Sequence, residues 1–448
     1  MTLIAATLTW AAPGTAQAAP VPWGTDSAGY AFAADARSVP GATGTSDAVR
    51  LEAGTTYRSA LTDGEKTYYA LELDAESSAY VSVTAVPRAA DPEPSVSDGI
   101  RVDVQNADGQ GCSHDTATVG AARSPRPVTA WGGREIEPGK RLCQKAGTYY
   151  VVVQRANPKQ PTGQPWDLEL TTVSEPQPSS AQPTRAPETW DSATPAPPAG
   201  EAASRRGGAG FATATAVGEG AWRDDISPGQ TLYYKLPVDW GRSPHATVEL
   251  GSSDEDTGYL AAALDVTLYN PVRAEADTAR TGYGGTQKAA TLAPVPPVAY
   301  ANRYALSERV SAMRFAGWYY VVVHLAAQVA DRFGDGPYGM TLRVGLDGTA
   351  AEGPGYAGEP VPRGVFDVAA ATADSGGAEG SGSGGAGGPT AGTAAGASGG
   401  DGDTMRALAV GGIGTGTALL LVLGVWTVTA RRRAAAAQTR VSAQNPTA

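Results

Sequence analysis

The sequence predicts an all-β chain: two tandem antiparallel β-sandwiches, followed by one C-terminal transmembrane helix. Three features carry that reading: a stretch that is written twice, apolar residues that recur at every second position, and a charge-free run near the C-terminus. The segment Leu61–Leu73, with the turn Asp63-Gly64 before Tyr68-Tyr69-Ala70-Leu71-Glu72-Leu73, recurs as Ile226–Val238, with Pro228-Gly229 before Tyr233-Tyr234-Lys235-Leu236-Pro237-Val238, at an offset of 165. Ala146-Gly147 and the Tyr149-Tyr150-Val151-Val152-Val153 run recur as Ala316-Gly317 and Tyr319-Tyr320-Val321-Val322-Val323, at an offset of 170. Two landmarks in one order and at nearly one spacing mark a duplicated domain.

Taken in order, residues 1–18 read as a signal peptide: an apolar run over 3–12 is followed by Ala16 and Ala18, small residues that suit a signal-peptidase site. No Lys or Arg precedes Arg37, so the true start is expected upstream of Met1; a buried helix opening the first domain is the competing reading. The first sandwich is placed at 25–173 and the second at 207–350. Within them Tyr69, Leu71 and Leu73 alternate with Ala70 and Glu72, Val81 and Val83 with Ser82 and Thr84, and Leu168 and Leu170 with Asp167 and Glu169. In the second copy Val248 and Leu250 alternate with Thr247 and Glu249, and Met340 and Leu342 with Thr341 and Arg343. A period of two is the pattern of strands with one face buried and one face wet. The Tyr-Tyr-Val-Val-Val runs are apolar on both faces, as central strands are.

Residues 174–206 are rich in Pro, Ser, Thr and Ala and are expected to form an extended linker. A Gly/Ala-rich stalk is assigned to 351–405, most uniform in composition over 373–403. The transmembrane helix is assigned to 406–430, where Leu408 to Ala430 carries no charge, a length that spans a bilayer core of roughly 30 Å. Arg431-Arg432-Arg433 follows, so the tail at 431–448 is expected in the cytoplasm and the body outside: a single-pass protein of the cell membrane. Gly412 and Gly416 form a GxxxG pair within this span.

The repeated pattern, from Gly64-Glu65 through Tyr68-Tyr69 and Leu71 to Tyr80-Val81-Ser82-Val83, Val102-Asp103-Val104 and Gly147-Thr148-Tyr149-Tyr150, resembles the jelly-roll modules of the pre-peptidase C-terminal type that follow secreted bacterial proteases. The resemblance covers about residues 52–172 and 218–345. It implies non-catalytic modules associated with secretion or with substrate or matrix binding, some of which carry calcium at acidic loops. The corresponding candidates are Asp98, Asp103 and Asp265, but Asp103 and Asp265 fall in or beside strands, so they read as solvated strand residues and no metal or other cofactor is expected.

A net charge of −11 argues against nucleic acid as a partner. The chain's two cysteines, Cys112 and Cys143, read as one disulfide closing a loop of 31 residues; a metal site lacks a matching ligand set. The three histidines, His114, His245 and His324, belong to no evident catalytic set, and His324 occupies the position of Gln154 in the first copy. Asp254-Glu255-Asp256 reads as a surface loop, and Gly396-Ala397-Ser398-Gly399-Gly400 lacks the strand and helix that a nucleophile elbow needs. The candidate recognition segment is the tethered stretch from Gly111 to Cys143, with His114, Trp131 and Arg134 as candidate binding residues, unless Trp131 packs beneath its own loop. A comparably long segment, Pro271 to Asn302, stands in the second copy.

The expected function is therefore non-catalytic: a cell-surface binding or adhesion protein that engages a cell-envelope polysaccharide or a membrane protein. The alternative is a structural or accessory subunit of a membrane-associated secretion or protein-processing complex.

Overall fold

A computed structural model describes residues 29–369, apart from 63, 65, 89–92, 158–163, 254 and 256–257. The signal peptide at 1–18, the transmembrane helix with its GxxxG pair, the cytoplasmic tail and most of the stalk lie outside the described residues. Among the described residues no helix is long and apolar enough to cross a membrane.

Each copy contributes eight principal strands. In the first they are β1 (Thr56–Leu61), β2 (Thr67–Leu73), β3 (Ser78–Val86), β4 (Gly99–Asn106), β5 (Gly111–Thr118), β6 (Val128–Arg134), β7 (Gly147–Arg155) and β8 (Trp166–Glu175). In the second they are β9 (Gly220–Ile226), β10 (Thr231–Val238), β11 (Arg242–Leu250), β12 (Leu260–Tyr269), β13 (Glu275–Tyr283), β14 (Lys288–Thr291), β15 (Gly317–Leu325) and β16 (Tyr338–Gly348). Two short helices, α1 (Glu308–Ser311) and α2 (Val329–Phe333), flank β15. The sheets run β1-β8-β3-β6 and β2-β7-β4-β5, then β9-β16-β11-β14 and β10-β15-β12-β13, each with a two-residue strand added parallel at one edge. In both copies every connection but the fourth-to-fifth hairpin crosses from one sheet to the other, which is the eight-stranded double Greek key of a jelly roll.

Local chemistry explains the repeated landmarks. Gly64 and Gly229, in the turns before β2 and β10, hold φ +74° and +79°. Gly147 and Gly317, which open β7 and β15, hold φ +143° and +129°. Side chains avoid all four conformations, so the duplicated glycines are demanded by the backbone. Inward residues close each sandwich: Leu168, Leu170, Val83, Val151 and Val153 in the first, and Leu342, Val248, Val321 and Val323 in the second, all 0% exposed.

The outward faces depart from the expectation of wet strands. Every residue of β3 is buried, and Glu169, expected in water, is 0% exposed. The cause is a second layer of packing. The outer face of β1-β8-β3-β6 lies against the outer face of β10-β15-β12-β13, so two sheets in the middle are covered on both sides. Tyr30, Val86, Phe211, Tyr233, Tyr269 and Val322 form one apolar cluster across the junction, and Tyr80, Val173, Val272, Phe315 and Phe366 form another.

Two chain segments seal this junction. The arm at 29–36 inserts Tyr30 edge-on against Tyr233 at 5.8 Å, and the Ala31 N–H donates to the Ala209 carbonyl. Residues 351–367 were expected to begin the stalk. They instead return to the body: Val361 pairs with Ser174, and Phe366 stacks on Phe315 at 4.7 Å. The apolar side chains of Tyr356, Val361 and Phe366 set this stretch apart from the Gly-rich run that follows. The proline-rich stretch after β8 is likewise tied down, through Ala203–Ser204 alongside β9 and the Pro198 carbonyl, which accepts from Arg343.

Buried ion pairs fix the junction. Glu175 accepts both terminal nitrogens of Arg303 at 2.7 and 3.1 Å and the hydroxyls of Tyr80 and Tyr356 at 2.8 and 3.0 Å. Replacing Arg303 with Met leaves that carboxylate sealed and unpaired, a change expected to cost about 3–5 kcal/mol. Urea unfolding of the full chain is the measurement. The double replacement Glu175→Met with Arg303→Met is expected to recover most of the loss, whereas a pair of minor importance would give an R303M value within about 1 kcal/mol of wild type.

Candidate functional site

The disulfide joins Cys112 on β5 to Cys143 in the segment before β7, with the sulfurs bonded at 2.01 Å. A loop of 31 residues restricts the unfolded chain by about 3–4 kcal/mol. The segment it closes is not the open loop expected from the sequence. It contains β5 and β6, the edge strands of the two sheets.

These edges form one wall of a groove of about 360 Å³ between the two sandwiches. His114, Asp115, Thr116 and Ala117 of β5 and Thr129 and Trp131 of β6 face Glu275, Asp277 and Thr278 of β13 and Glu308 and Arg309 of α1. The two segments singled out in the sequence, 111–143 and 271–302, thus meet across a single groove. His114 is exposed and Trp131 half-buried. The Trp131 ring lies 6.2 Å from Tyr80, and the guanidinium of Arg314 sits 5.3 Å from its centroid, so packing holds it in place while it lines the groove.

The carboxylates are positioned by the strands that carry them. Asp115 accepts the Thr116 N–H at 2.7 Å and the Trp131 N–H at 3.2 Å, tying β5 to β6. Asp277 accepts the Ala293 N–H at 2.7 Å and pairs with Arg309 at 2.8 Å. Burial raises the pKa of Asp115, Glu275 and Asp277 above the ordinary carboxylate range, with Glu308 adding to the effect at Asp115 and Asp265 at Glu275. The groove therefore offers hydrogen-bond acceptors, an excess of negative charge and one indole.

Arg134 does not join this group. It is 0% exposed and lines a separate cavity at the end of the first sandwich. Asp265, read as a solvated strand residue, is 4% exposed because Arg126 of the first copy and Arg280 reach it at 3.0 and 2.6 Å. Asp103 pairs with Arg101, and Asp98 accepts the Ser95 N–H. Among the described residues no group of three or more His, Cys, Asp or Glu side chains stands ready to hold a metal ion.

A second polar constellation was missed from sequence. His324 places Nε2 2.9 Å from the Ser124 hydroxyl and Nδ1 3.0 Å from the Thr231 hydroxyl. Ser124 is 0% exposed and also accepts the Ala327 N–H at 3.0 Å. The Ser–His pair is thus sealed inside the junction, with a threonine where a triad would put its carboxylate. Its signal in the sequence was faint: one histidine closing a valine strand, and a serine 200 residues away.

No family model matches the chain, and no curated protein matches it. Solved structures with some likeness include the N-terminal CBM22-1–CBM22-2 tandem domain of Paenibacillus barcinonensis Xyn10C, at 9% identity over 65% of this chain and 85% of that one, with a TM-score of 0.17. The tandem CBM51 modules of a family 98 glycoside hydrolase from Streptococcus pneumoniae give 6% identity, 65% and 83% coverage, and 0.16. The CUB1-EGF-CUB2 domain of human MASP-1/3 gives 6%, 65% and 99%, and 0.14. At such TM-scores these likenesses carry no argument, and the fold rests on the strand order itself.

Burial and the nearby Arg126 charge lower the pKa of His324 from its ordinary 6.5 to about 3. Between those values the unfolded chain binds a proton there and the folded chain does not, so stability falls as pH drops from 6.5 towards 3, by up to about 1.4 kcal/mol per pH unit. Asp265 and Glu135, lowered despite burial by Arg126 and Arg314 respectively, act in the same direction: their contribution is present above their unfolded values and is lost as pH falls through the folded ones. Asp115, Glu275 and Asp277 act oppositely. The difference between wild type and His324→Gln isolates the histidine. The variant is expected to lose this part of the slope in urea titrations between pH 4.5 and 6.5, and parallel pH curves would contradict the assignment.

Proposed function

We propose that this chain is a non-catalytic binding protein that takes an extended, hydroxyl-rich ligand, a polysaccharide segment of the cell envelope, in the groove between its two sandwiches. The observation that carries the reading is the groove's composition: a half-buried indole beside Asp115, Glu275 and Asp277 on strand edges and Glu308 on α1, held together by the junction. A flat aromatic ring covers the apolar face of a sugar at low entropic cost, and fixed carboxylates accept its hydroxyls. Both walls are needed, so the binding unit is the pair of modules. Display outside the cell on a single C-terminal span belongs to the same proposal. It rests on the apolar run at 408–430, the arginines after it and the apolar leader. The proposed kinship with pre-peptidase C-terminal modules rests on the sequence pattern, with which the eight-stranded topology is compatible.

The test is binding of the full chain, solubilised in detergent, to a panel of cell-envelope polysaccharides by affinity electrophoresis and titration calorimetry. Trp131→Ala and Asp277→Asn are each expected to weaken binding about tenfold or more, equivalent to roughly 1.4 kcal/mol, with unfolding curves run alongside because Trp131 also packs on Tyr80. Polysaccharide binding that ignores both changes would move the site elsewhere. Absence of binding together with stable co-purification of membrane partners would favour an accessory subunit instead.

A further inference from the structure

Where the 3-10 turn Tyr300–Tyr304 faces the chain leaving β8, the surface is hollowed into a cavity of about 290 Å³. Tyr300, Tyr304, Gln177, Thr184, Pro138 and Pro178 form much of its wall, and no charged residue lines it. That composition is the reverse of the groove between the sandwiches, where four carboxylates stand. The charges close by are already matched: Glu137 pairs with Lys140, and Glu175 with Arg303.

Tyr300 is the informative residue. It is 8% exposed, and the Arg303 guanidinium carbon lies 3.5 Å from its ring centroid, so the ring is pinned. Its main-chain carbonyl accepts from Arg303 Nε, but its hydroxyl makes no hydrogen bond among the described residues. Tyr80 and Tyr356, which surround the same ion pair, both spend their hydroxyls on Glu175. The Tyr300 hydroxyl is not one of the unpaired atoms sealed from water, so it is open at the cavity wall. A largely buried phenol normally finds a partner, and here the vacant place is in the cavity. Tyr304 and Gln177 are half-buried, and their hydroxyl and carboxamide are also unpaired among the described residues. The main chain of that wall is fixed, since the Gln177 carbonyl accepts the Ala357 N–H and Pro178 bridges to Tyr356.

We infer that this cavity is a binding site for a short uncharged saccharide. The tyrosine rings and the two prolines supply apolar surface for the C–H face of a sugar ring, and the Tyr300, Tyr304 and Thr184 hydroxyls meet its hydroxyls. The Gln177 carboxamide presents a donor beside an acceptor, which suits neighbouring hydroxyls on one ring. A charged sugar would leave water and find no opposite charge along the wall. Ligand pockets begin at roughly 300 Å³, so the cavity takes a short unit and not a long chain. The site does not depend on the acidic groove. The two share only the stretch 300–312, with Tyr300 and Tyr304 lining the cavity and Glu308 and Arg309 lining the groove.

The experiment is titration of the full chain, in a detergent without a sugar headgroup, followed by saturation-transfer NMR and calorimetry. The probes are mono- to tetrasaccharides of glucose, galactose, mannose and N-acetylglucosamine, with glucuronate as the charged control. Wild type is expected to bind at least one uncharged series, and glucuronate about tenfold more weakly or not at all. Tyr300→Phe keeps the ring against Arg303 and removes only the hydroxyl. It is expected to weaken binding about three- to tenfold and to leave Tm unchanged, because that hydroxyl has no partner in the protein to lose. Tyr304→Ala is expected to weaken binding about tenfold or more. Absence of saccharide binding in wild type overturns the inference, as does binding that neither variant alters, or equal affinity for glucuronate. A saccharide whose affinity falls in Trp131→Ala but not in Y300F is bound in the groove; that result removes this site and leaves the groove reading standing. Binding of a polyproline peptide in place of every saccharide, lost in Y304A, makes the cavity a peptide site and overturns the inference too. Should Y304A fail to fold, Y300F decides.

Discussion

Two carboxylates on the outward face of β8 govern the rest of the molecule. Glu169 and Glu175 are 0% and 1% exposed, and an isolated charge at that depth would be prohibitive. Each is satisfied by groups from several distant parts of the chain. Glu169 holds Arg273 at 2.8 Å, the Tyr30 hydroxyl at 3.0 Å and the Ala33 N–H at 2.9 Å. Glu175 gathers Arg303, Tyr80 and Tyr356. Apolar clusters around Phe211 and Phe315 supply the attraction between the sandwiches, and apolar contact tolerates sliding. Bidentate and hydroxyl-supported ion pairs do not, because displacement leaves charge unpaired. The carboxylates therefore choose one placement among the many that burial alone would allow.

That placement produces the groove. β5 and β13 are edge strands, and each on its own would present a row of side chains to water. With the sandwiches locked, His114–Ala117 and Glu275–Thr278 stand opposed, α1 closes one flank, and Arg314 both pairs with Glu135 and covers one side of Trp131. The same contact thus orders the indole and fixes the distance to the carboxylates opposite. Arg273 shows what the arrangement costs. It holds φ +59°, a left-handed conformation that the first copy gives to Gly109 at +78°, and its guanidinium is the one that reaches Glu169. A non-glycine residue persists there because its side chain is tied down.

The alternating strands β2, β3 and β8 and the apolar β7, with their counterparts in the second copy, were legible in the sequence because alternation, turns and glycines are local, whereas β5 and β6 lay in a stretch read as a loop. Ser82, Asp167 and Glu169 misled for the converse reason. Alternation reports that one face differs from the other, and it says nothing of what lies beyond the polar face. Here that face meets a second sheet, and its charges are matched by residues about a hundred positions away, such as Glu169 with Arg273. Trp131 and His114, grouped in the sequence because both lie within the Cys112–Cys143 loop, both line the groove. Arg134, three residues beyond Trp131, was grouped with them, but the last position of β6 points its side chain into the first sandwich. The docking of 351–367 was hidden by composition: three anchoring side chains, Tyr356, Val365 and Phe366, are few against many Gly and Pro.

Duplication alone would have left a hazard, which divergence between the copies removes. The junction joins unlike faces: β1-β8-β3-β6 of the first copy against β10-β15-β12-β13 of the second. A contact between unlike faces repeats indefinitely if every copy carries both halves of it. Strand register shows that they do not. The equivalents of Glu169 and Glu175 in the second copy are Thr341 and Asp347, and the equivalents of Arg273 and Asp265 in the first are Gly109 and Arg101. The first copy lacks counterparts of Arg273 and Asp265, while the second lacks one of Glu169 and keeps a carboxylate, Asp347, at the place of Glu175. A third module docking on the free β9-β16-β11-β14 face would find no carboxylate at the place of Glu169, and one docking under β2-β7-β4-β5 would meet Gly109 instead of an arginine. The charges that orient the pair are thus not repeated in full on either outer face, which works against a third module docking in the same way.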